Sequence, residues 1–134
     1  MDDLNRKLAE WVGFIYDESL RTSIYKPSTK WITPDGHIMD GIPDFAHSLD
    51  ACFKWLVPKL REGRGRIRIG FDYFDTGGGE VVIEEYVKLI TGWYWTYLSH
   101  YQPARGFDPA LALCKAIEKL IDEAPAQFAT EEGE

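Results

Sequence analysis

The 134-residue sequence predicts an α+β fold: a three-layer α-β-α sandwich, with a small, mostly antiparallel sheet and amphipathic helices on both faces. Three observations predict it. Three segments carry apolar residues at helical spacing, and two others alternate apolar with polar or aromatic residues as strands do. One of those strands, "GWYWTYLSHY" (92–101), has bulky groups on both of its sides, which a strand with one wet face does not need. The length fits one domain, 1–125, followed by a short acidic tail, 126–134.

The first helix is capped by Asp2 and Asp3 and carries Leu4, Leu8, Trp11 and Ile15 on one side, with Gly13 a weak point near its end. From Arg21 to Asp44 the chain reads as loop and short extended pieces, punctuated by Pro27, the turn Pro34-Asp35-Gly36, Gly41 and Pro43. Trp31 and Ile32 before that turn, with Ile38 after it, suit a short hairpin. Ser48 caps a second helix with Asp50 in its first turn, and Phe45, Leu49, Phe53, Leu56 and Leu60 form its apolar stripe. Gly63 closes it, and Pro58 predicts a kink or an early end near Val57.

"RIRIGFDY" (66–73) is a strand with Ile67, Ile69, Phe71 and Tyr73 on one face. The following "EVVIEEYVKLI" fits a helix through Val82, Tyr86, Leu89 and Ile90, but its β-branched run Val81-Val82-Ile83 favours a strand. In the 92–101 strand, Trp93, Trp95 and Tyr97 lie on one side and Tyr94, Thr96 and Leu98 on the other. The last helix opens with Asp108 as cap and Pro109 at its first position. It buries Ala110, Leu113, Cys114, Ile117 and Ile121, with Pro125 past its end.

Composition narrows the function classes. A formal charge of −7 argues against general nucleic-acid binding, although a local basic patch can override it. Cys52 and Cys114 sit beside apolar residues in helical patterns, as buried free thiols of a reducing compartment do. The opening "MDDLNRKLAEW" lacks the pattern of a signal peptide, and no apolar run approaches a membrane span, so a cytoplasmic location without a membrane partner is expected.

Three stretches resemble a known family in the expected order: "LNRKLAEWVGF", Pro43-Asp44-Phe45 followed by "SLDACFKWLVPKL", and "ALALCKAIEKLI" at 110–121. Together they are similar to the phage ABA sandwich domain. "TGGGEVVIEEYVKLI" is longer than that family's pattern between two strands, as an insertion would be. The resemblance implies a sandwich fold, a bacteriophage or prophage origin and the bacterial host cytoplasm. It brings over no catalytic or binding residue.

Asp75-Thr76-Gly77, between two apolar runs, has the look of an aspartic-protease loop. Such an enzyme needs two carboxylates sharing a proton, hence a dimer here, and two amphipathic helices before the motif do not belong to that fold. A turn between strands accounts for Asp75 and the glycines. Asp35, His37, Asp40, Asp44 and His47 crowd one stretch but follow no metal-ligand spacing.

Arg61, Arg64, Arg66 and Arg68 cluster in an acidic chain, where arginine forks suit an anion. Trp93 and Trp95 could stack an aromatic ring. Arg64, Arg66, Arg68, Trp93 and Trp95 are therefore the candidate ligand-binding residues. No nucleophile set, phosphate loop or Cys-x-x-Cys occurs, so neither an enzyme nor a cofactor is expected. The expected function is binding, first as a self-associating (dimeric) interaction module that docks onto a phage or host protein. The alternatives are capture of a small anionic, nucleotide-like ligand of host defence and, last, a dimeric protease through Asp75.

Overall fold

The structure, a computed structural model, describes residues 2–17 and 30–132, with the side chains of 3–17 and 30–123. The expected loop around Pro27 lies outside them. Helix α1 (Asp2–Val12) leads into β1 (Ile15–Asp17), β2 (Lys30–Ile32) and β3 (Ile38–Met39), three short antiparallel strands in that order. A 3₁₀ turn (Phe45–His47) and a helical rod follow: α2 (Leu49–Ala51), a π segment (Cys52–Leu56) and α3 (Val57–Arg61). Strands β4 (Arg66–Tyr73), β5 (Gly79–Leu89) and β6 (Gly92–Tyr101) form a second antiparallel sheet with β5 central, and α4 (Pro109–Glu132) closes the chain. The chain is therefore mixed α+β. No helix of the described residues is long and apolar enough to cross a membrane.

Capping chemistry sets several boundaries. Ser48 Oγ accepts from the Ala51 amide at 3.1 Å, and Asp108 Oδ1 accepts from the Ala110 amide at 3.1 Å, as their residue types predict. Helix α1 stops earlier than its apolar spacing suggests. Gly13 takes φ of 116°, the Phe14 amide reaches back to the Ala9 carbonyl at 2.9 Å, and Ile15 swings out to an exposed place on β1 while Phe14 enters the core.

Pro58 does not end its helix at Val57. Its missing N–H is preceded by the π turn, in which the Val57 amide donates to the Cys52 carbonyl, and the rod continues to Arg61. The wider turn also rotates the stripe. Cys52, Leu56 and Leu60 are fully buried, whereas Phe53, expected among them, is 47% exposed. Pro125 likewise does not end α4, which runs on through it to Glu132.

The core gathers Leu4 and Leu8 of α1, Phe14, Trp31, Phe45, the rod's buried stripe, Val81 and Ile83 of β5, and Leu113, Cys114 and Ile117 of α4. Ile67, Ile69 and Phe71 of β4 pack against it. The "insertion" is thus the central strand, and its β-branched residues supply the sheet's most buried positions.

Pairing is in step from Val81↔Tyr101 to Ile83↔Ser99, then jumps to Glu84↔Tyr97, which leaves Leu98 as the extra residue of a β-bulge. The bulge inverts the alternation along β6. Ser99 and Tyr101 share the inner face with Val81 and Ile83, while Trp93, Trp95 and Tyr97 share the outer face with Tyr86 and Glu84. Among the described residues, the helices pack on the inner face of this sheet.

Candidate functional site

The outer face of the large sheet is assembled by strand register. Arg66 lies opposite Tyr86, and Tyr86 opposite Trp95; Arg68 lies opposite Glu84, and Glu84 opposite Tyr97. Further along, Lys88 is opposite Trp93. Four of the five candidate residues, Arg66, Arg68, Trp93 and Trp95, therefore share one face.

Its rings are ordered against one another. Tyr86 stacks on Trp93 with centroids 5.3 Å apart and planes 18° from parallel, and Trp95 leans on Tyr86 at 5.0 Å. The Arg68 guanidinium lies 4.2 Å from the centre of the Trp95 ring. Its Nε and Nη2 both donate to Glu84 Oε1, at 3.0 and 2.9 Å. Arg68 is therefore held and neutralised. Gly65, Arg66, Tyr86 and Trp93 line a cavity of about 530 Å³. Among the described residues the side chain of Arg66 has no hydrogen bond or ion pair, and neither has that of Lys88. Trp93 is 56% exposed although Tyr86 stacks on it.

Arg64 does not join this group. Its Nη1 donates to the Leu60 carbonyl at 2.7 Å at the end of the helical rod, and its Nε approaches Glu85 Oε2 at 3.9 Å. It lines a separate groove of about 330 Å³ with Trp11, Leu60, Leu120 and Ile121 on the helical side. Two residues that the sequence did not single out belong to the face instead: Tyr86 and Lys88. Strand alternation across "EVVIEEYVKLI" was the signal that could have found them.

The remaining motifs fall apart in space. Asp75 is exposed in the β4–β5 turn, where the Phe74 amide donates to the Gly78 carbonyl at 2.9 Å and Gly77 has φ of 89°. Asp35 is held below the usual carboxylate range by the Thr33 hydroxyl and then by His37. Asp44 is lowered by the His47 ring and then by Asn5, while Asp40 pairs with Lys30. Among the described residues no group of three or more His, Cys, Asp or Glu side chains is placed to hold a metal ion.

Cys52 and Cys114 are buried free thiols with their Sγ atoms 3.7 Å apart. Contact with Cys52, and then burial, pushes the Cys114 thiol well above its ordinary range. Such thiols are poor nucleophiles. The outer face offers flat apolar rings beside a free cation, a chemistry of recognition. No protein-family model, curated protein or solved structure matches the chain.

Proposed function

We propose that this protein acts by binding, as an interaction module that pairs with a second copy of itself along β6. The composition of that edge carries the reading. Gly92–Tyr101 runs ten residues along one margin of the sheet without a Lys, Arg, Asp or Glu, and Trp93, Tyr94 and Tyr97 on it are exposed. Proteins that stay monomeric guard a free edge with charge, proline or a covering element. The opposite margin, β4, carries Arg66, Arg68 and Asp72.

Pairing of β6 with its own copy about a two-fold axis would satisfy free backbone groups along that edge. It would also support the end of the β5–β6 hairpin. Val87, Lys88 and Leu89 lie beyond the last residue paired to β4, and Leu89 and Ile90 at the tip are exposed. A two-stranded ribbon is marginal in water without a further neighbour. The resemblance to a phage family would set the module in an infected or lysogenic cell as an accessory protein.

Sedimentation velocity tests the reading. Wild-type protein should run at twice the chain mass at about 10 µM, and Tyr94→Lys with Tyr97→Lys should weaken the dimer about 100-fold or more while leaving the circular dichroism spectrum unchanged. A wild-type chain that stays monomeric at about 100 µM overturns it.

A further inference from the structure

We propose that the outer face of the large sheet binds a nucleotide-class ligand, a flat heteroaromatic ring carrying phosphate, in the cavity between Gly65, Arg66, Tyr86 and Trp93. The ring half of the argument is geometric. Trp93 is braced by Tyr86, and Tyr86 by Trp95, so the half-exposed Trp93 ring is a platform already in place before a ligand arrives. Stacking on such a platform needs only a planar π-system. The cavity, about 530 Å³, lies within the range of about 300–1,000 Å³ usual for small-molecule sites.

The anion half comes from charge. The chain holds 22 acidic residues against 15 Lys and Arg, and seven of the thirteen described Lys and Arg are in ion pairs. Arg68 has taken one, Glu84, and Arg64 another, Glu85. Arg66 on the cavity wall and Lys88 beside Trp93 have none among the described residues. A guanidinium fork and an ammonium flanking an open ring complement a phosphate attached to a stacked base. Lone aliphatic or uncharged ligands would leave both cations unused.

The overall charge of −7 opposes a long polyanion at a distance, and two free cations match one or two phosphates. A free nucleotide and a nucleotide within a single strand share this chemistry, and the experiment separates them. The site uses side chains of the face, whereas pairing along β6 uses the backbone of the edge.

The full-length protein is titrated with adenosine, guanosine and uridine 5′-monophosphates, followed by calorimetry and by the tryptophan indole N–H resonances. Adenosine, inorganic phosphate and a short oligoadenylate are titrated alongside. At least one mononucleotide should shift the Trp93 indole signal saturably, and removing its phosphate should weaken binding about tenfold or more. Arg66→Ala and Trp93→Ala should each cost about tenfold or more, and Trp93→Phe, which keeps a stacking ring, less than about threefold. An oligoadenylate that binds more tightly than the mononucleotide by more than its number of bases points to a single strand as source; equal or weaker binding points to a free nucleotide.

Absence of any shift with all nucleotides at about 1 mM overturns the site, as does unchanged affinity in a folded Arg66→Ala protein. In sedimentation velocity Arg66→Ala, on the opposite margin of the sheet, should run as wild type does, so loss of the ligand and loss of the dimer are told apart.

Discussion

Replacing Asn5 by Leu should destabilise the fold by about 2 kcal/mol, because one buried amide is left without an acceptor. Asn5 is 7% exposed and fastens α1 to the segment before the helical rod. Its Oδ1 accepts from the Ala46 amide at 3.0 Å, and its Nδ2 donates to Asp44 Oδ1 at 2.9 Å. Leu is close in volume and cannot do either. Ala46 is fully buried, so water cannot replace the lost acceptor, and an orphaned amide costs about 1–3 kcal/mol. The Asp44 carboxylate is more than half exposed and rehydrates, so that contact adds little.

Urea unfolding followed by tryptophan fluorescence, at fixed protein concentration, reads the difference. With a slope of about 2 kcal/mol/M the midpoint should fall by about 1 M at unchanged slope. The pH dependence supplies a second check. The Asp44 carboxyl is held below its ordinary value of 3.8 by the His47 ring and then by Asn5. A depressed folded-state value contributes stability that is complete above 3.8 and is lost as pH falls through the folded value. Removing Asn5 relaxes part of that depression, so the gap between wild type and Asn5→Leu should narrow below pH 3.8. A loss under about 0.5 kcal/mol at neutral pH would refute the buried-acceptor reasoning.

Two further outcomes follow from packing. A Cβ on Gly79 would meet the Phe107 ring and lie 2.6 Å from the Asp72 carbonyl oxygen, whereas Gly70 on the same sheet has nothing within 4 Å. Gly79→Ala should therefore lower the melting temperature in calorimetry by about 8 °C or more, and Gly70→Ala by less than about 3 °C. An equal response at both positions would refute the clash. The buried thiols of Cys52 and Cys114 should resist an aromatic disulfide reagent in the native protein and both react in denaturant; prompt native labelling would contradict their burial.

Much of the fold was legible in the sequence where local chemistry decides the outcome. The caps at Ser48 and Asp108, the alternation of Ile67, Ile69 and Phe71, the short Trp31–Met39 hairpin and the α4 stripe all follow from residue type and spacing. What escaped depends on one-residue changes of phase. The π turn moved Phe53 out of the stripe, and the bulge at Leu98 exchanged the faces of β6. Arg66, Arg68, Trp93 and Trp95 were singled out by residue type; that they share one face is set by inter-strand register, which a sequence does not display. Arg64 lies apart from them because it precedes the strand, where alternation assigns no direction.

The glycines after Asp75-Thr76 are fixed by packing. They are required by the segment from Pro103 to Phe107, which crosses directly over them. The Gly79 amide donates to the Pro103 carbonyl at 3.2 Å and the Phe107 amide to the Gly77 carbonyl at 3.2 Å. A Cβ on Gly78 would stand 2.6 Å from the Pro103 carbonyl oxygen. That crossing delivers the chain from β6 to Asp108 and the start of α4, which then packs on β5 and β6. The bulge completes the arrangement: beyond it Ser99 turns inward and its Oγ donates to the Ala116 carbonyl at 2.7 Å. Before it, the same strand presents Trp93, Trp95 and Tyr97 outward. One extra residue thus lets β6 anchor the helix with its last residues while Trp93, Trp95 and Tyr97 face the other side of the sheet.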